Sequence, residues 1–335
     1  MRPPAFWYTA PDAPDVRSRL LSPLGALYAA GTARRLRKGA AFDPGVPVIC
    51  VGNINAGGTG KTPTVIALQM MLAARGQAAH VVSRGYGGKL DGPVRVEERA
   101  HSAADVGDEP LLLAAFGPTW VSRDRAAGAA CAVGEGASVV LLDDGFQNPS
   151  VAKSLSIVVV DAWRGFGNGR VLPAGPLREP VQTGLARADL VLTIGPEEAQ
   201  ARFDATWAPV VGAVPRLRGL LKPLQTGLIW TGLRVVAFAG IGHPEKFFAT
   251  LHALGAEVVA THPLEDHQPL DDRLLGRLIA DAKAQGAQLV TTEKDAVRLP
   301  QTLRSQVLSL PVRLELVDPA PLETALDHLL TRRDD

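Results

Sequence analysis

The chain has 335 residues, of which 46% are hydrophobic and 21% charged, so it is globular and long enough for two domains. A net charge of +1 argues against binding nucleic acid through bulk charge. The two cysteines form neither a disulfide framework nor a metal cluster, which suits a reducing cytoplasm. No apolar run reaches the roughly 18–20 residues of a membrane span.

Residues 1–45 differ in character from the rest of the chain. An aromatic run, FWY, precedes an apolar zone at 20–30, which basic residues flank on both sides: Arg17, Arg19, Arg34, Arg35, Arg37 and Lys38. This pattern predicts an amphipathic helix that lies in a membrane interface, with its cations reaching anionic headgroups. The alternative is a helix packed on the protein, with arginines that are merely solvated.

From residue 47 onward, short apolar runs alternate with helix-like segments. Continuous β-branched runs such as VVLLD and LSIVVVD are typical of buried strands in a parallel sheet. The alternation predicts an α/β fold with a doubly wound, mainly parallel sheet. We divide the chain into an N-terminal segment (1–45), a core (46–210), a β linker (211–232) and a smaller α/β domain (233–330).

The stretch VGNINAGGTGKTP, at 51–63, lies between a predicted strand and a predicted helix. Such a loop directs backbone N–H groups at phosphate oxygens, its lysine meets the β- and γ-phosphates, and the next hydroxyl binds Mg²⁺. Asn55 stands where the usual pattern has its first glycine, and we expect it to tolerate a positive φ there. The predicted nucleotide-binding residues are Asn55, Ala56, Gly57, Gly58, Thr59, Gly60, Lys61 and Thr62.

Two adjacent acids end the apolar run VVLLDDG. A carboxylate at the end of a buried strand commonly reaches the Mg²⁺ shell of a nucleotide site. We therefore assign Asp143, with Thr62, to the metal, and Asp144 to the region of the γ-phosphate. The alternative is a helix-capping pair in a turn.

Three other motifs are less specific. In VGDEP, Asp108 precedes an apolar helix, and its spacing favours helix capping and catalysis equally. In LEDHQPL, Asp266 precedes His267, which is either an imidazole oriented for proton transfer or an ordinary surface histidine. In TTEKD, at 291–295, lysine and aspartate are adjacent, whereas guanine-reading motifs separate them by one residue, so ATP is favoured over GTP.

An ordered set of motifs carries a family resemblance. From residue 51 to 299 the chain contains VGNINAGGTGKTP, SRGYGG, VGDEP, LLDDGFQN, GPLREP, FAGIGHPEKF, EDHQPL and TTEKDAVRL. With its basic, aromatic N-terminus, it resembles the tetraacyldisaccharide 4′-kinases of lipid A synthesis. The specificity of the resemblance lies in the order of the whole set, since only the phosphate loop is specific by itself.

The resemblance implies a P-loop NTPase core joined by β strands to a smaller C-terminal domain, with the site in the cleft. It implies transfer of the γ-phosphate of ATP, with Mg²⁺, to the 4′-hydroxyl of a tetraacylated glucosamine disaccharide 1-phosphate, giving lipid IVA. It also implies a peripheral protein on the cytoplasmic face of the inner membrane, whose N-terminal helix contacts the bilayer. Neither nucleic acid nor an obligate protein partner is expected.

Site residues follow from the same resemblance. Asp108 and His267 match the acid–histidine pair that assists deprotonation of the hydroxyl, and they join Lys61 and Asp144 as the predicted catalytic residues. The positions that match substrate- or phosphate-contacting residues are Tyr86, Arg123, Gln147, Arg178 and Glu179. Asn148 stands where the family usually has histidine, and its amide forms hydrogen bonds but carries no proton.

Two other classes of function share these motifs. One is a membrane-associated regulatory ATPase of the partitioning type, which hydrolyses ATP without an acceptor. The other is a soluble small-molecule kinase or ATP-dependent ligase that ignores lipid. ATP turnover with and without a lipid-linked disaccharide distinguishes them.

Overall fold

The computed structural model describes residues 3–39, 41–266 and 268–331. Its strands are β1 (Val48–Gly52), β2 (Ala79–Ser83), β3 (Val94–Arg95), β4 (Thr119–Val121), β5 (Val139–Asp143), β6 (Leu155–Asp161), β7 (Leu190–Ile194), β8 (Arg216–Pro223), β9 (Arg234–Ala239), β10 (Glu257–Pro263), β11 (Gln288–Thr292), β12 (Val307–Leu310) and β13 (Val312–Leu316).

A 3₁₀ helix, Ala5–Tyr8, precedes the α-helices. These are α1 (Val16–Lys38), α2 (Lys61–Ala74), α3 (Ala103–Val106), α4 (Asp108–Ala114), α5 (Arg125–Gly134), α6 (Val181–Leu185), α7 (Glu197–Val211), α8 (Pro244–Ala253), α9 (Asp272–Ala284), α10 (Glu293–Ala296), α11 (Gln301–Arg304) and α12 (Ala320–Thr331).

Nine strands form the larger sheet, in the order β13-β8-β7-β6-β1-β5-β2-β4-β3. The seven strands from β8 to β4 pair in parallel, and only the edge strands β3 and β13 are antiparallel. The central strands β1, β5 and β6 are buried along their whole length, because helices cover both faces of the sheet. The predicted α/β fold with a mainly parallel sheet is confirmed.

Helices pack on both faces of the larger sheet and form two separate hydrophobic cores. On one face, apolar side chains of α5, α6 and α7 pack on the sheet, with the aromatic cluster Phe166, Phe203 and Trp207 at its edge. On the other face, α2, α4 and α12 cover the sheet. This two-sided burial explains why the central strands are apolar at every position instead of alternating.

A second sheet, β10-β9-β11-β12, is entirely parallel. Helix α8 covers one of its faces, and α9 covers the other. The sequence pattern placed residues 233–330 in this smaller unit, but β13 pairs with β8 of the larger sheet and α12 packs beneath that sheet through Leu322 and Leu326. The chain therefore enters the smaller unit after β8 and returns from it at β13.

Helix α1 docks on the larger unit through small residues. Ser18 and Gly25 are buried, the Ser18 hydroxyl donates to the Ala174 carbonyl at 2.6 Å, and a Cβ on Gly25 would lie 2.9 Å from the Val171 oxygen. Asn168 joins this contact by donating to the Ser18 Oγ at 2.8 Å. The large apolar residues of α1 point the other way and are exposed: Val16, Leu20, Leu24, Leu27 and Tyr28.

The helix therefore combines parts of both interpretations of its sequence. It packs on the protein through its small residues, yet it leaves Leu20, Leu24 and Leu27 exposed to solvent. No helix in the described ranges has both the length and the apolarity needed to cross a membrane.

The return of the C-terminal helix to the larger unit has a measurable consequence. Leu326 is fully buried beneath the sheet, and truncating it leaves a cavity, so we expect Leu326→Ala to destabilise the larger unit by about 2–5 kcal/mol. Urea denaturation followed by circular dichroism measures this effect. Val317→Ala is the control, because Val317 is 74% exposed and should shift stability by less than about 0.5 kcal/mol. Equal effects of the two substitutions would contradict this packing.

Candidate active site

The predicted site residues lie where strands of the larger sheet end. The phosphate loop follows β1, Tyr86 follows β2, Arg123 follows β4, and Asp144 follows β5. Because these strands are neighbours and parallel, their carboxyl ends meet at the same edge. The register pairs Val51 of β1 with Asp143 of β5, which brings the start of the loop beside the acids.

The phosphate loop turns sharply at two glycines. Gly57 and Gly60 have φ values of 110° and 98°, and Gly60 is the N-cap of α2, which begins at Lys61. A Cβ on Gly60 would lie only 2.6 Å from the Ile194 Cδ1. Both this steric clash and the positive φ therefore disfavour any residue other than glycine at this position. Asn53 is buried beneath the loop and donates to the Gly57 carbonyl at 3.1 Å. Together these contacts hold free N–H groups at a helix N-terminus, an anion-binding arrangement.

The expectation that Asn55 tolerates a positive φ at this position is wrong. Among the described non-glycine residues, only Asp144 has a positive φ. Asn55 instead forms a bridge with Leu177, and its amide donates to the Gly165 carbonyl at 3.1 Å. Its role is to tie the start of the loop to two neighbouring segments, since the left-handed turns fall on Gly57 and Gly60.

Asp143 is buried at the end of β5 with one of its two oxygens unsatisfied. Its Oδ2 accepts from the Ser83 hydroxyl at 2.9 Å, whereas its Oδ1 has no hydrogen-bond partner among the described residues. Burial, followed by the charge of Glu109, raises the pKa of Asp143 to about 7, although Lys61 opposes the shift. A buried carboxylate oxygen without a partner is the environment that a divalent cation would satisfy.

Asp144, unlike Asp143, forms ion pairs with two cationic side chains. Its φ of 54° turns the chain sharply, so the two adjacent carboxylates diverge. Lys61 lies 3.7 Å from its Oδ1, and Arg178 donates to both oxygens, at 2.9 and 3.3 Å. Burial raises the pKa of Asp144, but Lys61 and Arg178 outweigh burial and lower it overall. Neither acid caps a helix, because the next regular element is β6.

Three of the predicted substrate-binding residues form one network beside Asp144. The Gln147 amide donates to the Glu179 carboxylate at 2.9 Å, and Arg178 donates to the Gln147 Oε1 at 3.2 Å. Glu179 is buried and also accepts two hydrogen bonds of 2.8 Å from Arg187. Glu179 therefore holds Gln147 in place, while Arg178 and Gln147 carry the exposed polar atoms of the network.

The other two predicted substrate-binding residues lie along the same edge but outside this network. Tyr86 is 70% exposed. Arg123 forms an exposed ion pair with Asp91 at 2.8 Å. They extend the polar edge from the phosphate loop toward β4.

Asp108 is the first residue of α4 and not its cap. The N-cap is Gly107, with a φ of 91°, and the Asp108 side chain accepts from the neighbouring Glu109 N–H at 3.0 Å. The carboxylate is nonetheless buried, at the start of α4. His267, its predicted partner, lies outside the described residues, whereas Asp266 is described.

Two residues that the sequence pattern left without a role belong to this site. Ser83 fixes Asp143, and Lys294 lies 3.2 Å from Glu109 and 4.0 Å from Asp108. Ser83 is the last residue of β2 and Lys294 follows β11, and this position at the carboxyl end of a parallel strand is the signal that points to them. Lys294 belongs to TTEKD, which was tested as a guanine-reading motif and included in the family resemblance without a role for the lysine.

Comparisons with known proteins identify the family of the chain. The model of the LpxK family, described as tetraacyldisaccharide-1-P 4′-kinase, matches residues 17–331. Tetraacyldisaccharide 4′-kinases of Dinoroseobacter shibae and Jannaschia sp. are 73% and 64% identical to the chain, each over 99% of this chain and 100% of the relative.

A crystal structure of LpxK from Aquifex aeolicus in complex with ATP is similar over 94% of this chain and 100% of that one, with 26% identity and a TM-score of 0.75. Since the family model and these relatives span nearly the whole chain, the protein belongs to the tetraacyldisaccharide 4′-kinase family.

Proposed function

We propose that the protein transfers the γ-phosphate of ATP to the 4′-hydroxyl of tetraacyldisaccharide 1-phosphate, forming lipid IVA in lipid A biosynthesis. One observation carries the mechanism: a phosphate loop, a pair of diverging acids and the buried Asp108 meet at one sheet edge. Lys61 lies 3.7 Å from Asp144, and Glu109, next to Asp108, is close enough to raise the pKa of Asp143.

Lys61 and the loop amides bind the phosphates. The transferred group spreads negative charge over its oxygens, so fixed cations and N–H dipoles stabilise it as it moves. Asp144 holds the Lys61 ammonium from one side, and Arg178 adds a second cation beside it. These three charged groups orient one another.

Asp143 and Thr62 would hold Mg²⁺. The unsatisfied buried Oδ1 of Asp143 and a hydroxyl in the first turn of α2 are oxygen donors of the type that Mg²⁺ prefers. The ion, when bound, neutralises charge on the phosphate oxygens. It would also favour the ionised form of Asp143, whose pKa is otherwise raised by burial.

Asp108 takes the proton of the acceptor hydroxyl, assisted by His267. Its carboxylate is buried at the start of α4 and lies 4.0 Å from the Lys294 ammonium, a nearby cation that favours the charged form needed for a base. Gln147 and Arg178 contact the substrate next to Asp144, while Tyr86 and Arg123 contact it farther along the edge.

Helix α1 places the enzyme on the cytoplasmic face of the inner membrane. Its exposed leucines would enter the interface, and the basic residues of its last turn would meet anionic headgroups: Arg35, Arg37 and Lys38. The acceptor carries acyl chains, so an enzyme held at the interface would meet its substrate without extracting it from the bilayer.

Loss of the phosphate-binding cation or of the base should abolish turnover. We expect Lys61→Ala and Asp108→Asn each to lower kcat by at least about 100-fold, the usual loss for an electrostatic or an acid–base group. The assay measures phosphate transfer from ATP to the disaccharide, and Lys283→Ala, at the exposed end of α9 in the smaller unit, serves as the control. Near-normal turnover by Asp108→Asn would refute its role as base, and ATP hydrolysis that is independent of any acceptor would instead favour a regulatory ATPase.

The metal assignment has a separate test. Removing the carboxylate of Asp143 should raise the Mg²⁺ concentration for half-maximal activity by at least about 10-fold, since even outer-shell changes weaken metal sites by 10- to 100-fold. Asp143→Asn is measured by titrating Mg²⁺ at saturating ATP. An unchanged Mg²⁺ requirement would exclude Asp143 as a ligand.

Membrane binding can be tested with charge-matched variants. Leu20 and Leu27 are 74% and 71% exposed on α1, while Ile229 and Val317 are 77% and 74% exposed elsewhere. We expect the double variant Leu20→Glu/Leu27→Glu to lose co-sedimentation with anionic liposomes by at least about 10-fold, because it puts charge into an apolar face. Ile229→Glu/Val317→Glu makes the same charge change and should bind as the wild type does. Equal binding by both double variants would contradict the proposed orientation.

A further inference from the structure

Lys294 lies among three carboxylates that come from different parts of the chain. Its ammonium is 3.2 Å from the Glu109 Oε1, 4.0 Å from the Asp108 Oδ2 and 3.9 Å from the Asp266 Oδ1. Asp108 and Glu109 begin α4 of the larger unit, whereas Asp266 follows β10 of the smaller unit. Lys294 itself belongs to α10, directly after β11 of the smaller sheet. One cation therefore joins the two units at the candidate base.

The short segment from residue 294 to 298 also contacts the loop that follows β10. Arg298 donates to the Gln268 carbonyl at 2.6 Å and pairs with the fully buried Asp295. Asp295 in turn accepts from the Gly240 N–H at 2.9 Å. The residues on both sides of position 267 are thus anchored by one segment: Asp266 by Lys294, and Gln268 by Arg298.

We propose that Lys294 is a positioning residue for phosphoryl transfer, whose ammonium holds Asp108 ionised and in place while joining α4 to the loop that contains His267. This inference rests on the proposed function, because Lys294 would act on the reaction through Asp108, the base of the proposed phosphoryl transfer. It also assigns a role to TTEKDAVRL beyond the family resemblance.

The charges show why a cation is needed at this point. Three carboxylates within about 4 Å of a common centre repel one another when they are withdrawn from water, and one of them would take up a proton to relieve the repulsion. A protonated Asp108 cannot act as a base. Burial lowers the pKa of Lys294, but Glu109, Asp108 and Asp266 raise it overall, so the side chain remains an ammonium at neutral pH.

A purely structural salt bridge is the competing explanation, and the chain contains a matched example. Glu293, the neighbour of Lys294, accepts from Arg313 of β13 at 2.8 and 3.1 Å. This pair also joins the smaller unit to the larger sheet, and both partners are about one-fifth exposed, at 23% and 22%. Weakening the Glu293–Arg313 pair therefore tests how much a salt bridge between the two units matters, while the charge of Lys294 next to Asp108 is kept.

The experiment compares Lys294→Met, Lys294→Arg and Glu293→Gln in the full-length enzyme, with ATP and the tetraacyldisaccharide in mixed detergent micelles. We expect Lys294→Met to lower kcat by at least about 30-fold, with the KM for ATP changed by less than about 3-fold, because it impairs the base and not the phosphate loop. Lys294→Arg keeps the cation, so its kcat should be higher than that of Lys294→Met. We expect its log kcat to regain at least about a third of the decrease in log kcat that Lys294→Met causes. Glu293→Gln should keep kcat within about 2-fold while lowering the melting temperature.

Three outcomes would overturn the positioning role. The first is a kcat of Lys294→Met close to that of the wild type. The second is a loss of kcat in Glu293→Gln that matches the loss in Lys294→Met at equal melting temperature. The third is a loss in Lys294→Arg as complete as the loss in Lys294→Met, with both variants folded by circular dichroism. Failure of the proposed function is distinct, because the wild type itself would then not phosphorylate the disaccharide.

Discussion

Parallel pairing of β1 with β5 is the constraint on which the whole site depends. The register sets Val51 beside Asp143, and the Asp144 N–H then donates to the Val51 carbonyl at 3.0 Å. The phosphate loop and the acid pair must therefore leave the sheet at the same point. Helices on both faces bury these strands fully, so a slip of register would displace side chains in two close-packed cores at once. The catalytic geometry is in this sense a consequence of how the core packs.

The two adjacent acids show how one short turn produces two different chemical groups. Asp144, at a φ of 54°, is turned toward Lys61 and Arg178 and is compensated within the protein. Asp143 stays in line with its strand and is buried, and among the described residues its one hydrogen-bond donor is the Ser83 hydroxyl. The protein therefore compensates Asp144 more fully than Asp143, which is the basis for proposing Asp143 as the metal ligand. The strained backbone at Asp144 is what separates the two roles.

Much of this organisation could be predicted from the sequence, because the information is local. Continuous apolar runs indicated the parallel sheet, and the glycine-rich loop, the acids and Asp108 each follow an apolar strand or begin a helix. The failures concern contacts between distant segments. Asn55 was expected at a positive φ, but its conformation is set by Gly165 and Leu177, more than a hundred residues away. The return of β13 and α12 to the larger sheet has no local signature either, since an edge strand and an amphipathic helix fit any α/β unit.

Lys294 was passed over for the same reason, since its partners lie at 108, 109 and 266 in the chain. Glu109 gives this lysine a wider effect, because it both pairs with Lys294 and raises the pKa of Asp143. The negative charge next to Asp143, the proposed metal ligand, is thus partly neutralised by a residue of the smaller unit. If the two units separated, Glu109 would lose its cation, and Asp143 and Asp108 would feel a stronger repulsion together. The electrostatics of the phosphate site and the position of the smaller unit are therefore coupled through one carboxylate, Glu109, which lies between the proposed metal ligand and the proposed base.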